Sequence, residues 1–362
     1  MDKKIRVAVL MGGKTAEHAV SLNSGMMVVN NLDKQKYLIK PVIITKTGKW
    51  IVAKNYSSTK KIFKNSKELI NHINTKPVTT GIGIDKLLTS KIDVVFLAMH
   101  GPYGEDGTIQ GLLDLAELPY TGSGVLGSSL AMHKIKTLEM LERWNILTPK
   151  RIVYAEVRSQ KSEVRKIIND VKQKLGFPCV VKPCELGSSV AIEIVKHPNK
   201  LIPAIKTALR YDRQVMVEQF IAGKEITCGV LGTGFGKEPI AFPPTMIIPK
   251  TSEFFDYHAK YTAGATDEIT PAPIGSKLTR QVQQIAIAVH KALCCGSMSR
   301  TDMLIKQHRI YVFETNTIPG MTATSLYPQA AKAAGIGFPE LLDRLIHLAF
   351  DEYRSRKKIK NN

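Results

Sequence analysis

The chain predicts an α/β N-terminal part followed by α+β units, and three observations carry that prediction. The first hundred residues alternate short apolar runs, glycine turns and a helical pattern. The middle of the chain mixes short strand and helix patterns in a smaller unit. Near the C-terminus two apolar runs flank a short polar break, as the strands of a hairpin do. Alternation of the first kind indicates a parallel sheet with helices packed on it.

In order, Ile5–Met11 reads as a buried strand ending in Gly12-Gly13, and Ala16–Asn31 as a helix with Ser21 and Ser24 early in it. Strands follow near Leu38–Ile44 and Ile92–Met99, the latter running into His100-Gly101. The polar, Lys-rich stretch 54–90 reads as a peripheral insertion with one amphipathic helix near Lys67–Ile73. The Gly/Ser stretch Thr121–Ser129 marks a boundary, and one long helix pattern continues to about Trp144 before Thr148-Pro149 breaks it. Ile152–Ala155, Cys179–Lys182, Val190–Val195 and helices over Lys161–Leu175 and Asn199–Tyr211 form the central unit. Strands near Val215–Phe220, Glu225–Leu231 and Ala241–Ile248 precede a loop, Pro249–Pro273. A helix over Ser276–Leu293, the hairpin and two further helices complete the chain. These boundaries predict three domains, 1–123, 124–217 and 218–362.

A chain of 362 residues is long enough for two or three cores. No apolar run approaches the ~18 residues of a membrane span. The start moves straight into a strand pattern without a signal-peptide core. Five cysteines without a Cys-x-x-Cys pair fit reduced thiols in a cytoplasm. The net charge of +20 includes 16 Lys and Arg against 5 Asp and Glu in residues 1–90. Those lysines are scattered among Asn, Thr and Ser without stacking aromatics, so they read as a solvated surface rather than a nucleic-acid patch. The one dense basic cluster, Arg354–Lys360, reads as a frayed helix end.

Arg300–Thr322 carries the most chemistry. Two apolar runs flank Lys306–Arg309, and the turn lacks Asn-Gly or Asp-Gly. Glu314 and Asn316, two apart, project from one face of a strand. With a three-residue connection Asp302 falls opposite Glu314, and three oxygen donors converge beside Arg300. Hard oxygen donors so gathered suit Mg²⁺. A second stretch, Lys182-Pro-Cys-Glu-Leu-Gly-Ser-Ser-Val190, ends a strand in a lysine and a small-residue loop able to approach phosphate oxygens, although it is not a P-loop. Val215–Ile221 and Glu225 offer a strand edge, an aromatic ring and carboxylates, a set able to hold a base and a ribose.

Ordered blocks then identify the relationship: Gly12–Ser21, His100–Gly111, Pro119–Gly124, Lys182–Val190, Phe255–Tyr261 and Glu314–Thr322. From about Ile5 to Phe350 the chain resembles the ATP-grasp superfamily and, within it, the D-alanine–D-alanine ligase family. The resemblance implies the three-domain ATP-grasp architecture and ATP-driven joining of two D-alanines through an acyl phosphate, for peptidoglycan precursor synthesis. By position, Asp302, Glu314 and Asn316 match ligands of two Mg²⁺ ions, with Mn²⁺ an alternative. Lys134 and Lys182 match triphosphate-binding lysines, and Lys260 one that reaches the γ-phosphate. Glu218, Phe220, Ile221 and Glu225 match adenine and ribose positions. Arg300 and the Gly320 N–H match oxyanion donors. Glu17 matches the residue for the first substrate's ammonium, His100 lies near its carboxylate, and Ser325 matches the residue for the second substrate's carboxylate. Glu17, Ser188 and Tyr261 match a triad that closes the loop.

The intact Lys260-Tyr261 pair implies D-alanine as second substrate, with D-lactate or D-serine as the alternatives. His133 stands where the family often has aspartate. The resemblance also implies a cytoplasmic homodimer that binds neither nucleic acid nor membrane. The rival from another class is a basic nucleic-acid-binding protein on an inactive scaffold, for which loss of the metal trio or Arg300 would argue; all four are present.

Overall fold

The computed structural model describes residues 3–56, 62–157, 160–187, 191–233, 238–250 and 264–360. Three sheets follow one another along the chain, each with its own buried cluster. The first has the order β3-β2-β1-β4, from β1 (Ile5–Gly12), β2 (Tyr37–Ile44), β3 (Trp50–Val52) and β4 (Val94–Leu97). β1 runs parallel to β2 and β4, and only β3 is antiparallel. Val7–Met11 are fully or almost fully buried, as a near-continuous apolar strand covered on both faces must be. Helix α1 (His18–Asn31) makes the crossover from β1 to β2.

The segment between β3 and β4 is less peripheral than its composition implies. It holds α2 (Ser66–Ile73), whose N-cap Asn65 accepts the Glu68 N–H at 2.9 Å, and a second helix, α3 (Thr80–Thr89). Its two glycines hide α3 from a propensity reading. Gly83 sits where a Cβ would meet the Trp50 indole at 2.7 Å, so contact with the sheet selects glycine there. Phe63, Leu69, Ile84 and Leu87 join the first core.

After β4 come α4 (Thr108–Leu115), α5 (Val125–Met132) and α6 (Lys134–Arg143). The expected single helix to Trp144 is therefore two. His133 (φ −90°, ψ 95°) breaks it, and the Lys134 N–H bonds the Cys184 carbonyl at 2.9 Å. The break points the Lys134 side chain, at a helix start, toward the central sheet's loop.

The second sheet, β5-β8-β6-β7, contains β5 (Arg151–Tyr154), β6 (Cys179–Pro183), β7 (Glu193–Val195) and β8 (Val215–Gln219), all antiparallel. Helices α7 (Lys161–Lys174) and α8 (Pro198–Ala208) cover one face with Ile167, Val171, Leu201 and Ile205.

In the third sheet β9 (Lys224–Leu231) lies between β11 (Thr245–Pro249) and β13 (Met298–Lys306). β10 (Ile240–Ala241) pairs with β9, β12 (Thr266–Ile269) extends the β11 edge, and β14 (Arg309–Asn316) pairs with β13. The expected loop Pro249–Pro273 thus contributes a strand. α9 (Ser276–Ala292), α5 and α6 share this sheet's core. α10 (Leu326–Ala333) and α11 (Phe338–Lys360) return to the first core through Tyr327, Leu341, Leu345 and Ile346. The basic end of α11 is anchored rather than frayed at Arg356, which bonds Asp114 at 2.9 Å and Tyr120 at 2.8 Å.

Candidate active site

The β13–β14 hairpin builds the acidic face by a different route from the one expected. The connection is two residues, Gln307 and His308, both with positive φ (48° and 64°). That turn alone would set Asp302 opposite Phe313. A register shift between Asp302 and Met303 inserts one extra residue on β14 and restores Asp302 opposite Glu314 and Arg300 opposite Asn316. Both Phe313 and Glu314 consequently line the cleft below.

Asp302, 5% exposed, is the hub of this face. Its Oδ1 accepts from Thr227 Oγ1 at 2.6 Å and Arg300 Nε at 3.0 Å, and its Oδ2 from Arg300 Nη2 at 2.9 Å and Asn316 Nδ2 at 3.2 Å. Glu314 Oε1 lies 3.3 Å from Lys134 Nζ. Two carboxylates and an amide oxygen on one strand pair are hard donors, and this set fits a hard divalent ion. With only two carboxylates it is not an acidic cluster of three, and among the described residues no group of three or more His, Cys, Asp or Glu is so placed.

The second and third sheets face each other across a cleft of about 690 Å³. Val180, Ile192 and Ile194 line one side and Met246, Leu304 and Phe313 the other, a slot for a flat apolar group. Lys182 Nζ pairs with Glu218 Oε2 at 2.8 Å, both side chains 5% exposed, and lies 5.8 Å from the centre of the Phe313 ring. Glu218 lines the slot, and its Oε1 is buried without a hydrogen-bond partner. Phe220, Ile221 and Glu225 follow along the same wall. Lys134 Nζ also donates to the Leu186 carbonyl at 2.6 Å, tying the loop after β6 to the cleft floor.

A third group of contacts joins the first sheet to the turn Thr317–Met321. His100 Nδ1 lies 3.0 Å from the Ile318 carbonyl and its Nε2 2.9 Å from Ser24 Oγ. A carbonyl only accepts, so Nδ1 carries the proton and the neutral ring accepts from Ser24 at Nε2. Burial pushes the His100 pKa down; Glu17 opposes that shift, while Arg300 adds to it. Ser24 Oγ in turn accepts the Met321 N–H at 3.3 Å. Glu105 Oε1 accepts the Ile318 N–H at 3.0 Å and its Oε2 the Gly101 N–H at 2.8 Å. Its carboxyl is enclosed although the residue keeps some exposure, and burial, with Glu17 adding, pushes its pKa up to about 8.

Gly101 adopts φ +72°, a conformation that favours glycine, and packs so that a Cβ there would lie 2.4 Å from Glu17 Oε2. Gly320 backs onto Ser325, the N-cap of α10, whose Oγ accepts the Thr322 N–H at 3.0 Å. Glu17, Arg300, the Gly320 turn and Ser325 thus surround the junction of the first and third sheets.

Residues 6–123 match the family model for the D-ala D-ala ligase N-terminus, and residues 144–347 match that for the C-terminus. The D-alanine--D-alanine ligase of Syntrophobacter fumaroxidans is 42% identical over 351 residues, covering 97% of this chain and 99% of that one. This chain belongs to the D-alanine–D-alanine ligase family.

Among solved structures, the Bacillus anthracis D-alanine--D-alanine ligase complexed with ATP superposes with TM-score 0.73 at 33% identity, over 98% of this chain and 100% of that one. The VanG D-Ala:D-Ser ligase from Enterococcus faecalis superposes with TM-score 0.80 at 32% identity, over 96% and 100%. The family's ATP-grasp fold is the architecture described above, as the sequence predicted.

Of the residues matched to the family's sites, Lys134, Lys182, Glu218, Phe220, Ile221, Glu225, Asp302 and Glu314 line one cleft, and Asn316 bonds Asp302. Glu17, His100, Arg300, Gly320 and Ser325 lie along the junction. Ser188, Lys260 and Tyr261 lie outside the described residues. Sequence reasoning missed Phe313, Glu105 and Ser24. Glu105 stands inside the family-matching block His100–Gly111, whereas nothing local marks Phe313, which the bulge alone turns into the cleft. The cysteines are all unpaired, and burial pushes Cys184, beside the loop, up to about 12, which suits an inert thiol.

Proposed function

We propose that this chain joins two D-alanines into D-alanyl-D-alanine, consuming ATP and passing through an acyl phosphate. The observation that carries this reading is the meeting of a nucleotide-sized slot, an oxygen-donor face and a backbone turn beside Arg300 within one site. The adenine and ribose would lie between the apolar walls, beside Glu218, Phe220, Ile221 and Glu225. Lys134 and Lys182 sit where the triphosphate would run, and Lys260 would reach its γ-phosphate.

Asp302, Glu314 and Asn316 would hold Mg²⁺, as two ions, with Mn²⁺ an alternative. Bound there, the metal supplies charge neutralisation that lets a carboxylate approach a polyanion. Glu17 would hold the first D-alanine's ammonium, with neutral His100 near its carboxylate. Ser325, at a helix start where free N–H groups favour an anion, would hold the second carboxylate. Arg300 and the Gly320 N–H would stabilise the oxyanion formed when the amine attacks. Glu17, Ser188 and Tyr261 would close the loop over the site.

Family membership makes the chain a ligase and brings ATP and D-alanine with it. We further propose a cytoplasmic homodimer acting in peptidoglycan precursor synthesis, without nucleic-acid or membrane partners, and motion of units divided near residues 123 and 217. Leu115 on α4 and Leu126 on α5, 87% and 61% exposed, offer an apolar surface for the second copy. Among the described residues no helix is long and apolar enough to cross a membrane.

A second reading, D-serine as second substrate, is favoured by the similarity to the D-Ala:D-Ser ligase. Mg·ATP with D-alanine and an equal concentration of D-serine or D-lactate, products identified by mass, separates the two. D-alanyl-D-alanine as the main product supports the first reading; a predominance of D-alanyl-D-serine or of the lactate ester overturns it.

A further inference from the structure

Between α8 and β8 the chain turns through Asp212, a residue outside the cleft lining and outside the junction. Its Oδ2 accepts the N–H groups of two consecutive residues, Cys184 and Glu185, each at 2.7 Å. Its Oδ1 accepts the Gln214 N–H at 3.3 Å. Charge-assisted bonds from a carboxylate to backbone N–H groups are short and about twice as strong as neutral ones.

The two residues so held open the loop after β6, and residues 184 and 186 are pinned from the other side. Cys184 gives its carbonyl to the Lys134 N–H at 2.9 Å, and Leu186 gives its carbonyl to Lys134 Nζ at 2.6 Å. Gly187 then lies over Glu17, where a Cβ would stand 3.1 Å from Glu17 Oε2. The backbone from 184 to 186 is therefore clamped between one carboxylate and one lysine. The clamp's outcome is the placement of Gly187 against the carboxylate of the first-substrate pocket.

We propose that Asp212 is a positioning residue that sets this loop over Glu17 and so couples the nucleotide cleft to the first D-alanine. Its kinetic part rests on the function proposed above; its structural part does not. Lys134 alone leaves two N–H groups at the loop's start without an acceptor, free to rotate Leu186 and Gly187 away.

The test compares Asp212→Asn and Asp212→Ala with the wild-type full-length chain, by amide hydrogen exchange without substrate and by steady-state kinetics. Expected is exchange at Cys184 and Glu185 faster by about 10-fold in Asp212→Ala, roughly one hydrogen bond lost, with β6 upstream unchanged. Expected too is a KM for the first D-alanine raised by a similar factor while the Kd for ATP stays within about two-fold, and partial recovery of both in Asp212→Asn. Unchanged exchange at the two amides overturns the proposal, as does a uniform rise across the whole central sheet, which marks general destabilisation. Should Asp212→Ala fail to fold, Asp212→Asn decides by the same exchange and KM criteria. Absence of D-alanine-dependent turnover in the wild type would defeat the functional reading alone, because the exchange data still judge the clamp.

Discussion

The cleft and the junction solve opposite electrostatic problems within one site. The cleft is built from full charges at close range: Lys182 with Glu218, Lys134 with Glu314, and Arg300 with Asp302. The junction of the first sheet with the Thr317–Met321 turn is held by neutral His100, by Ser24 and by Glu105, whose pKa is raised, each bonded to backbone. A site that must admit a polyanion and release it needs cations whose partners can be exchanged. A turn whose backbone must stay in place is better served by directional bonds made to its own N–H and carbonyl groups. The difference teaches that paired charges line the space proposed for the nucleotide, whereas side chains bonded to backbone fix the turn beside it.

The sharpest break between the two regions comes at Arg300, which touches both. Arg300→Ala is expected to lower kcat by about 10²- to 10³-fold, the usual loss for one oxyanion donor, with ATP binding largely retained. Near-wild-type turnover would remove Arg300 from the chemistry. Within the cleft alone, Lys182→Ala leaves the Glu218 carboxylate buried and unpaired, and breaking such a pair costs about 3–5 kcal/mol. Denaturant unfolding measures it, and a loss under about 1 kcal/mol would mean the pair is already solvated.

Within the junction alone, the Glu105 carboxyl is displaced from an ordinary 4.5 to about 8. A group whose folded pKa is raised contributes stability fully below its unfolded pKa and loses it as pH rises toward the folded one. Wild-type stability should therefore fall between about pH 4.5 and 8 by a component that Glu105→Gln removes. Urea midpoints at pH 5 and pH 8 test this; an identical pH slope in the variant would contradict it. The smallest effect is expected at Phe313, where replacement by alanine removes one of the three side chains on one wall of the slot. ATP affinity should weaken by about 2- to 13-fold, as for one aromatic contact of about 0.5–1.5 kcal/mol. No change would show that the bulge orients Glu314 only.

The alternation of strand and helix in the first sheet and the converging Asp302, Glu314 and Asn316 were legible because both depend on local period and spacing. What the sequence concealed depends on partners far away in the chain. The break at His133 is made by the Cys184 carbonyl, fifty residues on. α3 is made by the Trp50 face against Gly83, and the Asp302–Glu314 pairing is made by a bulge that offsets a two-residue turn. Glu105 and Asp212 look like surface acids until the backbone N–H groups they accept are seen.

The most direct test of the account is isotope transfer. With D-alanine carrying ¹⁸O in its carboxylate, Mg·ATP and the wild-type chain, the phosphate released should contain one ¹⁸O per dipeptide formed, because the carboxylate oxygen attacks the γ-phosphate. Phosphate without label, or label found in AMP, would contradict the acyl-phosphate route and with it the roles proposed for the cleft.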